Sequence, residues 1–465
     1  MTNEIKQKEN ITKTECQMDK KIVLFFEMRR LIEAKITFSP YKGITKTARE
    51  LYHRFMACKN IDLKPVLTDG SYIKLIQNKR IIKQLLSNKN SPRYIINRIM
   101  QLFFLTTRFF VRLLKKGTAR SNPSKKFDKA IDTVEKTLAN TIKRKKNPSF
   151  VLKSSQLKTV EEYDIQGDLY FSPVHPLPPR KVTKDMKRVV TVNDCIYIIR
   201  PDFYPLASCG RKPTIKRTLE SIDVVSDYVI CISESTKNDL MKQFSINEDK
   251  IKVIWLAAEE IYFNVKKEPK RIFLKKRHPE SRKYILGLGQ EEKRKNIITL
   301  VKAFCLLVSE SQYSDYYLLL VGNNKKLKQR VTRYIQQNYD QNYLNHIRFI
   351  RNVDEKKLAL LYSYASLFVF PSLYEGFGIP VLEAMAAGCP VILGDNSSLP
   401  EVAGNAGYYV NVQDENEVCN GMKTILRDRI LRESLIEKGK IQARRFSWDK
   451  TAKEVVDFFE QIIKK

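Results

Sequence analysis

No run of 18 apolar residues occurs anywhere in the 465-residue chain, so no segment has the length that an apolar membrane-crossing helix needs. The opening, Met1-Thr2-Asn3-Glu4-Ile5-Lys6, leads into further polar sequence without the apolar core of a secretion signal. A chain that is neither secreted nor membrane-spanning is expected, although it can still lie on a membrane surface. Cysteine is sparse. The eight are Cys16, Cys58, Cys195, Cys209, Cys231, Cys305, Cys389 and Cys419, with no two at metal-ligand spacing. That excludes a disulfide scaffold and points to reduced, mostly buried thiols in a cytosolic protein. Internal repeats and low-complexity tracts are absent. Hydrophobic residues at 43% and aromatics at 10% exclude a disordered or collagen-like chain. Acidic residues are the last shortage: 51 Asp and Glu face 84 Lys and Arg, a net charge of +33. Such an imbalance calls for anions, whether phosphates, nucleic acid or an acidic membrane surface. No nucleic-acid-binding motif accompanies the charge, so no nucleic-acid partner is expected.

The length corresponds to about three average domains, and two large ones fit equally well. Residues 1–20 are polar and expected to be disordered. KIVLFF, from Lys21, and IDLKPVL, from Ile61, read as strands, with a helix between them from about Ile44 to Met56. Residues 71–150 differ from the rest, with 20 Lys and Arg against 3 Asp and Glu, a net 20 − 3 = +17. Within them, YIINRIMQLFFLTTRFFVRLLKK runs from Tyr94 to Lys116. Arg108 and Arg112 are four apart and share a helix face, while Phe103, Phe104, Phe109, Phe110, Leu113 and Leu114 supply apolar area. An interfacial helix on an anionic membrane needs both features. A helix packed on the first domain with solvated cations is the alternative. Beyond Phe150, DLYFSP, RVVTVND, YVICIS and KIKVIWL read as strands. A basic stretch from Lys266 to Lys283 reads as a linker, and YILGLG, YYLLLVG, IRFIRNV, LFVFPS and PVILGD follow it. Each strand precedes a helical pattern, which predicts parallel sheets with helices on both faces. The expected fold is α/β, with two Rossmann-like domains facing a cleft and ligands at the carboxyl ends of the strands.

The richest segment follows LFVFPS. Glu375 and Glu383 stand eight apart, separated by Gly376, Gly378 and Pro380. The glycines permit tight turns and close approach of a ligand to the backbone. Pro380 suits the first turn of a helix from about Ile379 to Ala387, which Gly388 ends. The free amides of that helix start are a phosphate site. Glu375, on the loop, can accept hydrogen bonds from sugar hydroxyls, and Glu383, one turn in, from a polyol such as ribose. The competing reading is an ordinary strand–turn–helix whose carboxylates favour the helix dipole. After YILGLG come Lys293, Arg294, Lys295 and Asn296. Three cations at a strand end can balance a diphosphate, and a solvated basic loop is the equal alternative. The chain has no Asp-x-Asp pair.

EGFGIPVLEAMAAGCPVI, from Glu375, resembles the E-x7-E motif of glycosyltransferase family 4, retaining sugar-nucleotide transferases of the GT-B fold. Further segments match in family order: KGITKTARELYHRF from Lys42, DLYFSPVHPLPP from Asp168, RVVTVNDCIYIIRPDFYP from Arg188, SDYVICISESTKNDL from Ser226, EKRKN, SSLPEVAGNAG from Ser397 and FSWDKTAKEVVDFF from Phe446. Residues 71–159 have no counterpart. The resemblance implies an acceptor-binding domain over 21–265, with a basic insertion at about 71–159. It also implies a nucleotide-sugar domain over 266–445 and a helix over 446–465 that crosses back to the first domain. It implies that Arg294 and Lys295 grip the donor diphosphate and that Glu375 holds the donor sugar with help from the Gly376-Phe377-Gly378-Ile379 backbone. Glu383 would bind ribose, and Gly43 would let its loop approach the phosphates or acceptor. Asn193-Asp194 stands where the family has His-Asp, so an amide replaces the imidazole; His175 is a further cleft candidate, or a structural loop histidine. Transfer of a hexose with retention is implied, mannose being the first choice, with UDP-glucose, UDP-galactose and a deoxysugar nucleotide open. The acceptor would be a glycan or lipid-linked hydroxyl in bacterial surface polysaccharide synthesis at the inner face of the membrane. No metal is expected, because Arg294, Lys295 and helix amides neutralise charge. The alternative is a degenerate transferase that serves as a sugar-nucleotide-binding or scaffold subunit, motivated by Asn193.

Overall fold

A computed structural model describes residues 22–27, 44–58, 60–67, 158–159, 167–203, 214–265, 283–289, 292–322, 325–351 and 353–465. Gly43, the segment 94–116 and nearly all of the linker lie outside the described residues. The chain divides into two compact units, Met1–Phe171 with Pro178–Met186, and Ser172–Leu177 with Lys187–Lys465.

Thirteen strands are present among the described residues, paired in parallel. They are β1 (Ile22–Glu27), β2 (Ile61–Leu67), β3 (Lys158–Thr159), β4 (Leu169–Ser172), β5 (Lys187–Val192), β6 (Tyr228–Cys231) and β7 (Ile251–Val253). After them come β8 (Tyr284–Leu288), β9 (Tyr317–Val321), β10 (Ile347–Ile350), β11 (Leu367–Phe370), β12 (Val391–Leu393) and β13 (Gly407–Tyr409). The α/β architecture read from the alternating pattern is the one observed.

In the first unit the strands run β3-β2-β1-β4, and Ile22 pairs with Ile61. The helix Ile44–Ala57 buries Ala48, Leu51, Tyr52 and Phe55, the i, i+3, i+4, i+7 spacing of one helical face.

In the second unit β5-β6-β7 form three parallel neighbours, with Val189 opposite Tyr228. A buried ion pair secures β5: Arg188 Nε donates to Asp227 Oδ1 at 2.8 Å. The other six strands run β10-β9-β8-β11-β12-β13. Their apolar runs are legible because a parallel strand is buried on both faces. Successive side chains alternate between two cores. Ile285, Leu318, Leu320, Leu367, Val369 and Ile392 pack with the helices Ile297–Val308 and Glu415–Arg427. Leu286, Leu319, Val321, Phe368, Phe370 and Val391 pack with the helix Ile379–Ala386. The terminal helix Trp448–Lys464 buries Val455, Phe458, Phe459 and Ile462. Phe458 stacks edge-on against Tyr228 of β6 at 6.2 Å, and Thr451 Oγ1 donates to the Trp255 carbonyl at 2.7 Å. The last helix therefore packs on the β5–β7 side. No described helix is long and apolar enough to cross a membrane.

Candidate active site

Pro371-Ser372 follow β11, and the chain turns through Tyr374-Glu375-Gly376-Phe377 into the helix Ile379–Ala386. Gly378 caps that helix at φ 114°, a conformation L-residues with a side chain rarely hold. Pro380 occupies its first turn. Gly376 is required for another reason: a Cβ there would lie 1.9 Å from the Asn193 carbonyl oxygen. The backbone after β5 therefore presses directly on the backbone beside Glu375. Phe377 is buried and meets Phe446 edge-on at 5.9 Å.

Glu375 is 8% exposed. Its Oε2 accepts from Arg294 Nη1 at 2.6 Å, and its Oε1 accepts from Lys295 Nζ and Ser372 Oγ, both at 2.6 Å. Burial by itself would raise this carboxyl. The charges of Lys295 and Arg294, with the hydrogen bonds, outweigh it and hold Glu375 below the usual carboxylate range. Burial pushes the Lys295 ammonium down, opposed by Glu375. Lys295 Nζ also lies 4.9 Å from the Phe370 ring centroid. Arg294 is held on two further sides, with Nε donating to Glu292 at 2.6 Å and Nη1 to the Tyr374 carbonyl at 3.2 Å. Of the two readings of this basic stretch, the solvated loop therefore does not apply to Lys295, which is buried.

Asn193 is 8% exposed, and its Oδ1 is buried without a hydrogen-bond partner. Asp194 Oδ1 accepts from the Ile196 amide at 3.2 Å, so its reading as a strand-end cap holds alongside its place in the site. Burial pushes the Asp194 carboxyl up to about 6, Arg294 and that amide pull it down, and Glu375 and Glu292 push it up. Asp194, Arg294 and Glu375 thus share one electrostatic neighbourhood. Glu383 is buried one turn into its helix. After burial itself, its charge is the largest influence raising the phenols of Tyr262 and Tyr362. His175 is buried in a tight turn in which Ser172 Oγ donates to its carbonyl and accepts from its amide, at 2.7 and 3.0 Å. Among the described residues no cluster of His, Cys, Asp or Glu is suited to hold a metal ion.

Several residues of the site were not singled out from sequence. Ser397 Oγ accepts from the Glu375 amide at 2.9 Å. Ser398 Oγ donates to the Glu375 and Phe377 carbonyls at 2.9 and 2.8 Å. Asn396 Nδ2 donates to the Ser372 carbonyl at 3.1 Å. Ser397 itself holds φ at 48°. Tyr374 and Ser372 also belong here. Their only sequence signals are adjacency to Glu375 and the SSLPE segment's place in family order.

The family model described as glycosyl transferases group 1 matches residues 269–442, a span that includes Arg294, Lys295, Glu375 and Glu383. O-antigen chain mannosyltransferase B of Escherichia coli is 30% identical over 304 residues, 64% of this chain and 75% of that one. The chain belongs to the group 1 glycosyltransferases. Another relative, the O-antigen chain mannosyltransferase RfbU of Salmonella typhimurium, is 31% identical over 243 residues, 51% of this chain and 60% of that one. The solved sucrose-phosphate synthase of Thermosynechococcus elongatus superposes with a TM-score of 0.60, covering 96% of this chain and 100% of that one at 16% identity. At that identity the likeness speaks for the fold, and the glycosyltransferase has the GT-B architecture.

Proposed function

We propose that this glycosyltransferase moves a hexose, mannose first, from a nucleoside diphosphate sugar to a hydroxyl of a glycan or lipid-linked acceptor in bacterial surface polysaccharide synthesis. The observation that carries the reading is the buried Glu375 carboxylate, gripped by Arg294 and Lys295 at the mouth of a helix. Two cations and free helix amides suit a diphosphate, and the carboxylate beside them suits sugar hydroxyls. Mannose is favoured because the two relatives above are named mannosyltransferases.

In this reading Arg294 and Lys295 hold the diphosphate, and the amides of Phe377 and Gly378 help Glu375 hold the sugar. Glu383 binds ribose, Glu375 orients the sugar, and the Asn193 amide bonds a sugar oxygen. The bond from the anomeric carbon to the diphosphate oxygen breaks. The acceptor oxygen bonds the same face, and its proton passes to the leaving phosphate, so configuration is retained as in family 4. The chain supplies positioning and stabilisation of the developing charge. Domains over 21–265, 266–445 and 446–465 fit this division of labour. The segment 94–116 is assigned to an anionic membrane surface at the cytoplasmic face; flotation with anionic but not neutral vesicles, reversed by salt, is the expected outcome.

A donor panel tests the reading. GDP-mannose should raise the unfolding temperature more than UDP-glucose, UDP-galactose or a deoxysugar nucleotide, since a ligand that binds the folded state stabilises it by mass action. The anomeric configuration of the product, read by NMR, should match that of the donor. Preference for another donor overturns mannose. An inverted product overturns the mechanism, and binding without any transfer favours a non-catalytic subunit.

A further inference from the structure

We infer that the helix Glu234–Gln243 is a clamp on the loop that carries Glu375, with Tyr374 and Asp239 as positioning residues. The inference rests on the reading of Glu375 as the contact to the donor sugar.

Tyr374 and Gly376 flank Glu375, and both are tied to this one helix. Tyr374 Oη donates to Asp239 Oδ2 at 2.7 Å. Thr236 Oγ1 donates to the Gly376 carbonyl at 3.3 Å. Thr236 and Asp239 are three apart, on one helix face. The helix is itself anchored: Glu401 accepts from the amides of Glu234 and Ser235, both at 2.7 Å. Tyr374 is 7% exposed, and its ring packs with Ile196 and Phe203. Ile196 donates its amide to Asp194, so one aromatic side chain braces both Glu375 and the Asn193-Asp194 turn. The three side-chain bonds to Glu375 orient its carboxylate, and the clamp fixes the backbone from which that carboxylate is aimed. A misplacement on the order of 1 Å at such a site can cost about a hundredfold in rate.

The test uses the full chain and GDP-mannose, with release of GDP followed in its slow hydrolysis. Tyr374→Phe removes one oxygen and Asp239→Ala removes its acceptor. Each should lower kcat about tenfold to a hundredfold while the donor KM stays within about twofold. The double variant should be no worse than either single one, because both break the same bond. Asp239→Asn keeps an acceptor for the phenol and should restore nearly full rate, which a purely structural role for the charge would not produce. A readout independent of donor is hydrogen exchange. Amides of residues 373–378 should exchange faster in Tyr374→Phe while the remainder of the chain is unchanged. Wild-type kcat in both single variants, additive effects in the double variant, or unchanged exchange at 373–378 each overturn the clamp. Glu375→Ala serves as control. If it hydrolyses donor like wild type, the reading of Glu375 fails; if it is impaired while the clamp variants are not, only the clamp fails.

Discussion

Replacing Lys295 with methionine probes the stability and the chemistry of the site together. Lys295 is buried, with Nζ 2.6 Å from Glu375 Oε1; methionine keeps much of the volume but not the cation. Removing one member of a buried ion pair costs about 3–5 kcal/mol when the other charge is left unpaired. Here Glu375 retains Arg294 and Ser372, each at 2.6 Å. The loss should be nearer that of one hydrogen bond to a charged group, about 1.5–3 kcal/mol at pH 7. Lowering the pH separates charge from packing. Glu375 is held below its ordinary value in the folded state. Its ionisation therefore adds stability above the unfolded carboxylate value, and that stability disappears as pH falls through the folded one. Protonation of Glu375 deprives Lys295 of its counter-charge in wild type, whereas the variant has no such cation to strand. The stability gap should accordingly narrow as pH falls through the lowered folded value of Glu375. Urea unfolding followed by circular dichroism at pH 7, 5, 4 and 3 measures it. A deficit under about 0.5 kcal/mol at pH 7, or one that does not change with pH, would refute the electrostatic argument. The same variant should lose about a hundredfold to a thousandfold in kcat/KM, on the scale of one preorganised contact to developing charge. Wild-type kcat/KM would remove Lys295 from the diphosphate.

Three further outcomes are expected. Glu383→Ala should raise the donor KM about tenfold with little change in kcat, because ribose contacts persist from ground state to transition state; a fall in kcat alone, seen by initial rates, would contradict the ribose assignment. Activity should survive EDTA if, as proposed, Arg294 and Lys295 supply the positive charge at the diphosphate; loss with EDTA and rescue by manganese or magnesium would reassign that role. Asp194 is raised from 3.8 to about 6 in the fold, so its stabilising contribution is complete below about pH 4 and lost as pH rises to about 6. Asp194→Asn should flatten that decline, and a melting profile from pH 4 to 7 that superposes on wild type would show that Asp194 titrates normally.

Much of the fold was legible because parallel strands buried on both faces are short apolar runs: LFVF, YVIC and LYFS are wholly buried. The Glu375–Glu383 spacing was legible because glycine, proline and helix periodicity leave local marks. Pairings between distant residues leave none. Lys295 meets Glu375 across 80 positions and Tyr374 meets Asp239 across 135, and each partner alone looks like an ordinary charge or aromatic. The serines at 372, 397 and 398 were passed over for a related reason. They bind one backbone or one carboxylate at the site, a task open to any serine until the fold brings the groups together.

Gly376 shows where local and tertiary reasoning part. From sequence it is a glycine that allows a turn and a ligand's approach. In the structure, the atom that forbids a side chain is the main-chain oxygen of Asn193. The contact that sets the distance between the β5 turn and Glu375 is therefore made by backbone alone, whatever side chain residue 193 carries. An asparagine in place of the family's histidine alters the hydrogen bonding offered at that point but leaves the approach intact.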